Sequence, residues 1–321
     1  MNRGAALSGA LLVTLETPPT WPMALAAFLL RGGLPLVVLP IVVLPSSVGL
    51  GNLLLPTVMT VVFQGPSVEL AVVVGLVLLA TVGWIAAGGL VAATLEAEMT
   101  RIVARPGEAD ESRRRESAPS SMPWAVLVAT RILAVRVLAH LPTGLAVTWG
   151  SARLVTIAYR ELTSPFDVTS PIVLRVLRGA PEVIGVTVVA WMLGEIVGGI
   201  AAHRVVLGGS GVTRAMREAV AAVARHPLGV LVGFWVPTAG LALIVVPSVV
   251  AAAAAWGAVR VAMRSPGDPV AATLGVVLFV TLWLIGLALI AVAAAWRGAV
   301  WSIVDQEYWA RPAGAKETEP G

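Results

Sequence analysis

Glu195 is the residue whose type and setting most invite chemistry. It sits near the middle of the apolar run 181–204, and a carboxylate at mid-membrane depth is expensive, so it marks either a function or a paired site. Arg153 lies about 13 residues above the inner end of the preceding run, and Glu195 about 9 above the inner end of its own. At ~1.5 Å per residue their depths differ by roughly 6 Å, within an arginine's reach. The expectation is a Glu195–Arg153 pair between two antiparallel spans. Such a pair either locks the helices together or serves a substrate, a proton or a lipid headgroup.

Two further constellations stand out. Ser46, Ser47, Gly49, Gly51 and Asn52 interrupt an apolar stretch that also carries Pro35, Pro40, Pro45 and Pro56. Broken helices of this kind form binding sites in transporters, although a plain kink or an outer turn fits the same residues. Arg214, Arg217 and Arg225 fall on one face of a helical pattern whose other face holds Met216, Ala219, Val220 and Val223. That arrangement suits a helix lying in the headgroup plane, where the arginines meet anionic lipid or a cytoplasmic partner. Gly194 and Gly198, four apart, are a packing motif expected to act within the chain.

Other chemistry is missing from the sequence. There is no cysteine, which rules out disulfides and thiolate nucleophiles. No phosphate-binding loop, HExxH or GxSxG motif occurs. His140, His203 and His226 are scattered without neighbouring carboxylates, so neither a metal nor another cofactor is expected, and the chain reads as a non-enzyme.

The elements that must position these residues follow from composition. The chain is 58% hydrophobic and 12% charged, with a mean hydropathy of +0.90. A soluble domain carries roughly 25% charged residues, and repeated apolar runs of about 20 residues read as membrane-spanning helices. The excess of arginine is better explained by topology and anionic lipid than by nucleic acid.

In chain order, residues 1–20 read as a flexible leader, faintly like a signal peptide but without a clear cleavage site before Pro18. A first repeat, 21–101, starts with a short interfacial helix from Trp21 to Arg31 that Gly32-Gly33 breaks, then carries spans at about 34–63 and 68–95. Ser67 is the expected N-cap of the second span, with Glu69 in its first turn. Residues 102–121 form a charged, disordered cytoplasmic loop. A second repeat, 122–204, has spans at about 140–159 and 181–204, with a longer outer connection in which Ser170-Pro171 starts a helix that Gly179 caps. A third repeat, 211–301, has spans at about 227–258 and 269–297, and residues 310–321 are a disordered tail. The repeat rests on Arg/His-Pro span starts and on Trp84, Trp191 and Trp283 in the second helices, which end on Arg101, Arg204 and Arg297.

The expected fold is therefore an all-α integral membrane protein of six spans. With both termini inside, 16 of the 22 basic residues face the cytoplasm, the sense of the positive-inside rule. The stretch Ala215–Leu228 and the Trp-to-Arg second helices resemble uncharacterised multi-pass families related to the membrane domain of some bacterial glycerophosphodiester phosphodiesterases. The catalytic domain of those enzymes has no counterpart in this chain, so the resemblance carries over no activity.

The resulting expectation is a multi-pass, non-catalytic scaffold or lipid-accommodating protein of a prokaryotic inner membrane. Its partners would be anionic headgroups at the cytoplasmic face and a membrane protein or a second copy of the chain. A transporter or permease component is the first alternative, and a membrane-embedded lipid-modifying enzyme the second.

Overall fold

The computed structural model describes residues 3–42, 47–104, 122–163, 169–264 and 269–309. These are helical almost throughout, with no strand among them. Most of the expected loop 102–121, the tail 310–321 and Ser46 lie outside the described residues.

Twelve α-helices are used below: α1 (Arg3–Glu16), α2 (Thr20–Phe28), α3 (Leu34–Val38), α4 (Ser47–Gln64), α5 (Val68–Ala104), α6 (Met122–Ala139), α7 (Leu141–Thr163), α8 (Ile172–Arg178), α9 (Pro181–Gly208), α10 (Val212–Arg225), α11 (Pro227–Arg264) and α12 (Pro269–Trp309). Five stretches are long and apolar enough to cross a membrane: Thr20–Val38, α5, α9, α11 and Pro269–Ile303. The α6–α7 pair, bent by 40°, makes a sixth if it counts as one span. This is the make-up of a multi-pass helical membrane protein.

Several boundaries differ from the sequence expectation. The leader is not loose: Arg3–Glu16 is a helix whose Ala10 and Thr14, one turn apart, are fully buried. Trp21 and Trp296 fasten it by donating their indole N–H groups to the carbonyls of Thr14 (2.8 Å) and Leu7 (3.2 Å). Gly32-Gly33 does break the next helix, as expected. Gly32 takes φ 109°, a left-handed, non-helical conformation natural to glycine, and the chain kinks there in one wide turn, Leu29–Gly33, before a new helix begins as α3. The first stretch long and apolar enough to cross a membrane is Thr20–Val38.

The expected break at Ser46–Asn52 is displaced as well. Helical structure stops at Val38, just before Pro40, which lacks an N–H to continue it. Among the described residues the next helix starts at Ser47, so Ser47, Gly49, Gly51 and Asn52 form the opening turns of α4, where the first N–H groups need no intrahelical partner. Other local signals held. The Leu70 N–H donates to Ser67 Oγ (3.2 Å), capping α5, and the Gly179 N–H closes α8 onto the Arg175 carbonyl (2.9 Å).

The chain divides into two compact units. Unit 1 comprises Met1–Val42, Ala87–Val135 and Gly199–Gly321. Its spine is α12, along which α11 runs antiparallel. Ala252, Ala255 and Val259 meet Phe279 at one end, and Leu241 and Val245 meet Ile290 and Ala293 further along. Ala24 and Met99 pack on Ala295, and Ala10 and Val103 pack on Ala299 and Val300. Alanines recur at these contacts, which lets backbones approach where apolar area alone gives no drive inside lipid. Unit 2 comprises Val43–Ala86 and Arg136–Gly198. In it α8 folds back on α7, with Ile157, Ala180 and Val183 forming a small core. The expected third repeat lies wholly in unit 1, whereas residues of the first two are shared between the units.

Candidate functional site

The α6–α7 bend brings together the most chemically capable side chains of unit 2. Arg136 lies in the last turn of α6, and His140 occupies the single residue between the two helices. The His140 ring folds back so that Nδ1–H donates to the Arg136 carbonyl (2.9 Å). Against this corner runs α9. A side chain at Gly194 would meet the Ala139 carbonyl and the His140 ring at 3.0 Å, and one at Gly198 would meet the Arg136 stem at 3.2 Å. The Gly194/Gly198 motif is thus the seat for the bend, a contact within the chain.

Glu195 lies beside that seat. His140 Nε2 is 3.4 Å from one carboxylate oxygen and Arg136 Nη1 is 3.9 Å from the other. The three side chains are 28%, 15% and 22% exposed for His140, Arg136 and Glu195, so the cluster is half sealed.

The expected Glu195–Arg153 pair does not form. Arg153 Nε instead donates to Glu182 Oε1 (3.3 Å). Glu182 and Glu195 are 13 positions apart on α9, about 20 Å along a helix. A residue level with one is out of reach of the other. Arg153 therefore stands near the start of α9, and residues just before the bend serve Glu195.

Other acids are matched in the same way. In unit 1 Glu96 of α5 pairs with Arg31 of the wide turn. In unit 2 Glu161 of α7 pairs with Arg175 of α8 (3.6 Å). His203, buried on α9, donates from Nδ1 to the Gly199 carbonyl (2.9 Å) and accepts at Nε2 from the Ser302 hydroxyl of α12 (3.0 Å). This histidine ties α9 to α12. Ser302→Ala removes the donor facing a buried ring nitrogen, and a loss of about 1 kcal/mol is expected in thermal unfolding of the solubilised protein. An unchanged midpoint would show that the hydroxyl is dispensable.

No family model matches the chain. No curated protein or solved structure matches it either. The site must therefore be read from its own geometry.

The basic face of α10 differs in detail from the expectation. Ala215, Ala219 and Ala222 are buried within unit 1, whereas Val220 is exposed together with Arg214, Arg217 and Arg225. The helix docks on the protein through an alanine stripe and turns its arginines outward. Arg214 Nε donates to Glu218 Oε1 (2.7 Å), and this bond raises the guanidinium pKa above its ordinary range. Arg217 and Arg225 carry the outward charge at the foot of α11.

A shallow apolar depression lies in unit 1 among Val37, Pro40, Val249, Trp283 and Leu287. The Trp283 indole N–H donates to the Val37 carbonyl (3.1 Å) beside it. Among the described residues no three His, Asp or Glu side chains assemble as a metal-ligand group.

Proposed function

We propose that this chain is a non-catalytic scaffold of a prokaryotic inner membrane that accommodates anionic lipid along α10. In this reading it has six spans in three repeats and both termini in the cytoplasm. The reading is supported above all by where the polar side chains go. Glu96, Glu161, Glu182 and Glu195 each meet a basic group, and His203 meets a hydroxyl. Most of these contacts join different helices, which is the work of a scaffold. The likeness to the membrane domain of the phosphodiesterase families accords with it, as a membrane module without a catalytic domain.

Arg217 and Arg225 supply the lipid contact in this proposal. A basic side chain near an anionic surface contributes about 1 kcal/mol, or roughly fivefold in affinity. The test is to extract the protein in native-lipid nanodiscs and analyse the lipid retained. Wild type is expected to be enriched in anionic over zwitterionic phospholipid, and R217E/R225E to lose that enrichment several-fold. Equal enrichment in both would end the lipid reading.

Transport is the second reading, favoured by the partial exposure of Glu195 between two groups able to carry positive charge. Wild-type proteoliposomes that pass protons, with the flux abolished by E195Q, would replace the scaffold with this reading.

A further inference from the structure

His140 and His203 share one backbone device and differ at the other end of the ring. In both, Nδ1 faces the carbonyl four residues earlier at 2.9 Å. A carbonyl only accepts, so Nδ1 carries a hydrogen in each. For His203 the remaining nitrogen faces the Ser302 hydroxyl, which can donate, and a neutral ring satisfies both contacts. For His140 the remaining nitrogen faces a Glu195 carboxylate oxygen at 3.4 Å, and an ionised carboxylate only accepts. A neutral His140 would set a bare nitrogen lone pair against it. One proton between them removes that conflict.

From this contrast we propose that the His140–Glu195 pair is a proton-binding site, with the proton carried on His140 Nε2. The charged groups that face the pair decide the placement. Glu195 approaches from α9, and the Arg136 guanidinium of α6 lies 3.9 Å from its second oxygen. Arg136 favours the ionised carboxylate, so the proton rides on the imidazole and the cluster is an arginine–glutamate–imidazolium triad. The remaining acid on α7 and the other on α9 are engaged elsewhere, Glu161 with Arg175 and Glu182 with Arg153. Release of the proton puts two acceptors against each other and loosens the bend from α9. The site is thus a proton-dependent clamp on the α6–α7 corner. It holds whether the protein is a scaffold or a conduit.

The chain has only three histidines, which makes the test direct. The full-length protein, labelled with 15N-histidine and held in lipid nanodiscs, is studied by NMR at a pH well above the unperturbed imidazole value of about 6.5. H203N and H226N variants assign the signals. The expected result is a hydrogen on both ring nitrogens of His140 in the wild type, while His203 keeps one bare nitrogen. In E195Q the glutamine amide donates to Nε2, and the His140 Nε2–H signal is lost while the fold is kept. A bare Nε2 on His140 in the wild type overturns the proposal. So does a doubly protonated His140 that persists in E195Q, since the carboxylate would then not be what holds the proton.

Discussion

Gly194→Val is expected to lower the stability of the solubilised protein by about 2 kcal/mol, within the usual range for overpacking a filled contact. The atoms in the way are the Ala139 carbonyl and the His140 ring, both 3.0 Å from the position of the first added carbon. A backbone carbonyl in the last turn of α6 cannot step aside without moving the bend. Gly194→Ala is expected to be nearly neutral, because crowding by one methyl group offsets the gain of about 1 kcal/mol that alanine brings to a helix. Gly185, on the same helix, has open space where its side chain would be, so Gly185→Val is the control. Thermal unfolding of the three variants in one detergent gives the comparison. Equal midpoints for Gly194→Val and Gly185→Val would remove the close-packed seat from the account.

Arg31→Ala should be the most damaging single charge deletion in unit 1, at about 2–3 kcal/mol. The Glu96 side chain is only 11% exposed, whereas Arg31 is 33% exposed. Breaking a buried pair costs 3–5 kcal/mol mainly through the charge left behind, and the partial exposure of Arg31 reduces that figure. Removing the more exposed partner leaves the more buried charge, so Arg31→Ala should exceed Glu96→Gln, whose amide still accepts from the guanidinium. The same unfolding measurement checks the order. A midpoint for Arg31→Ala within the error of wild type would show that the wide turn at Leu29–Gly33 does not depend on this pair.

The sequence made some of this legible and hid the rest for identifiable reasons. Apolar runs announced the helices, and the cap at Ser67 and the stop at Gly179 could be read from single residues. The glycine pair at 194 and 198 was readable as an intramolecular seat. The partner of Glu195 is hidden because the sequence places a span start at His140. The helical path in fact starts at Met122 and bends at His140. Arg136 and His140, four apart, form a stripe matching Gly194 and Gly198, also four apart, and that correspondence would have found the cluster. The first helix is hidden because Ser8 and Gly9 interrupt its apolar run. The informative signal is Ala10 and Thr14, small residues one turn apart and both buried, Ala10 against Ala299 and Val300. On α10 only Val220 departs from the expected faces, since alanines form the buried stripe and Val220 is exposed.

Helix α5 divides sharply along its length. Apart from half-buried Leu70, every residue from Val68 to Ala87 is exposed, and all eight buried residues follow from Gly88 onward. Its 37 residues measure about 55 Å, against a hydrocarbon layer of about 30 Å. One rod therefore lives in two solvents. The later half is held by neighbours within its own chain, while the earlier half meets its surroundings along nearly its whole length. For that segment the acyl chains take the place of missing neighbours. Its amide exchange should follow bilayer thickness, and a detergent belt too thin for it should loosen the first half of α5 before the second.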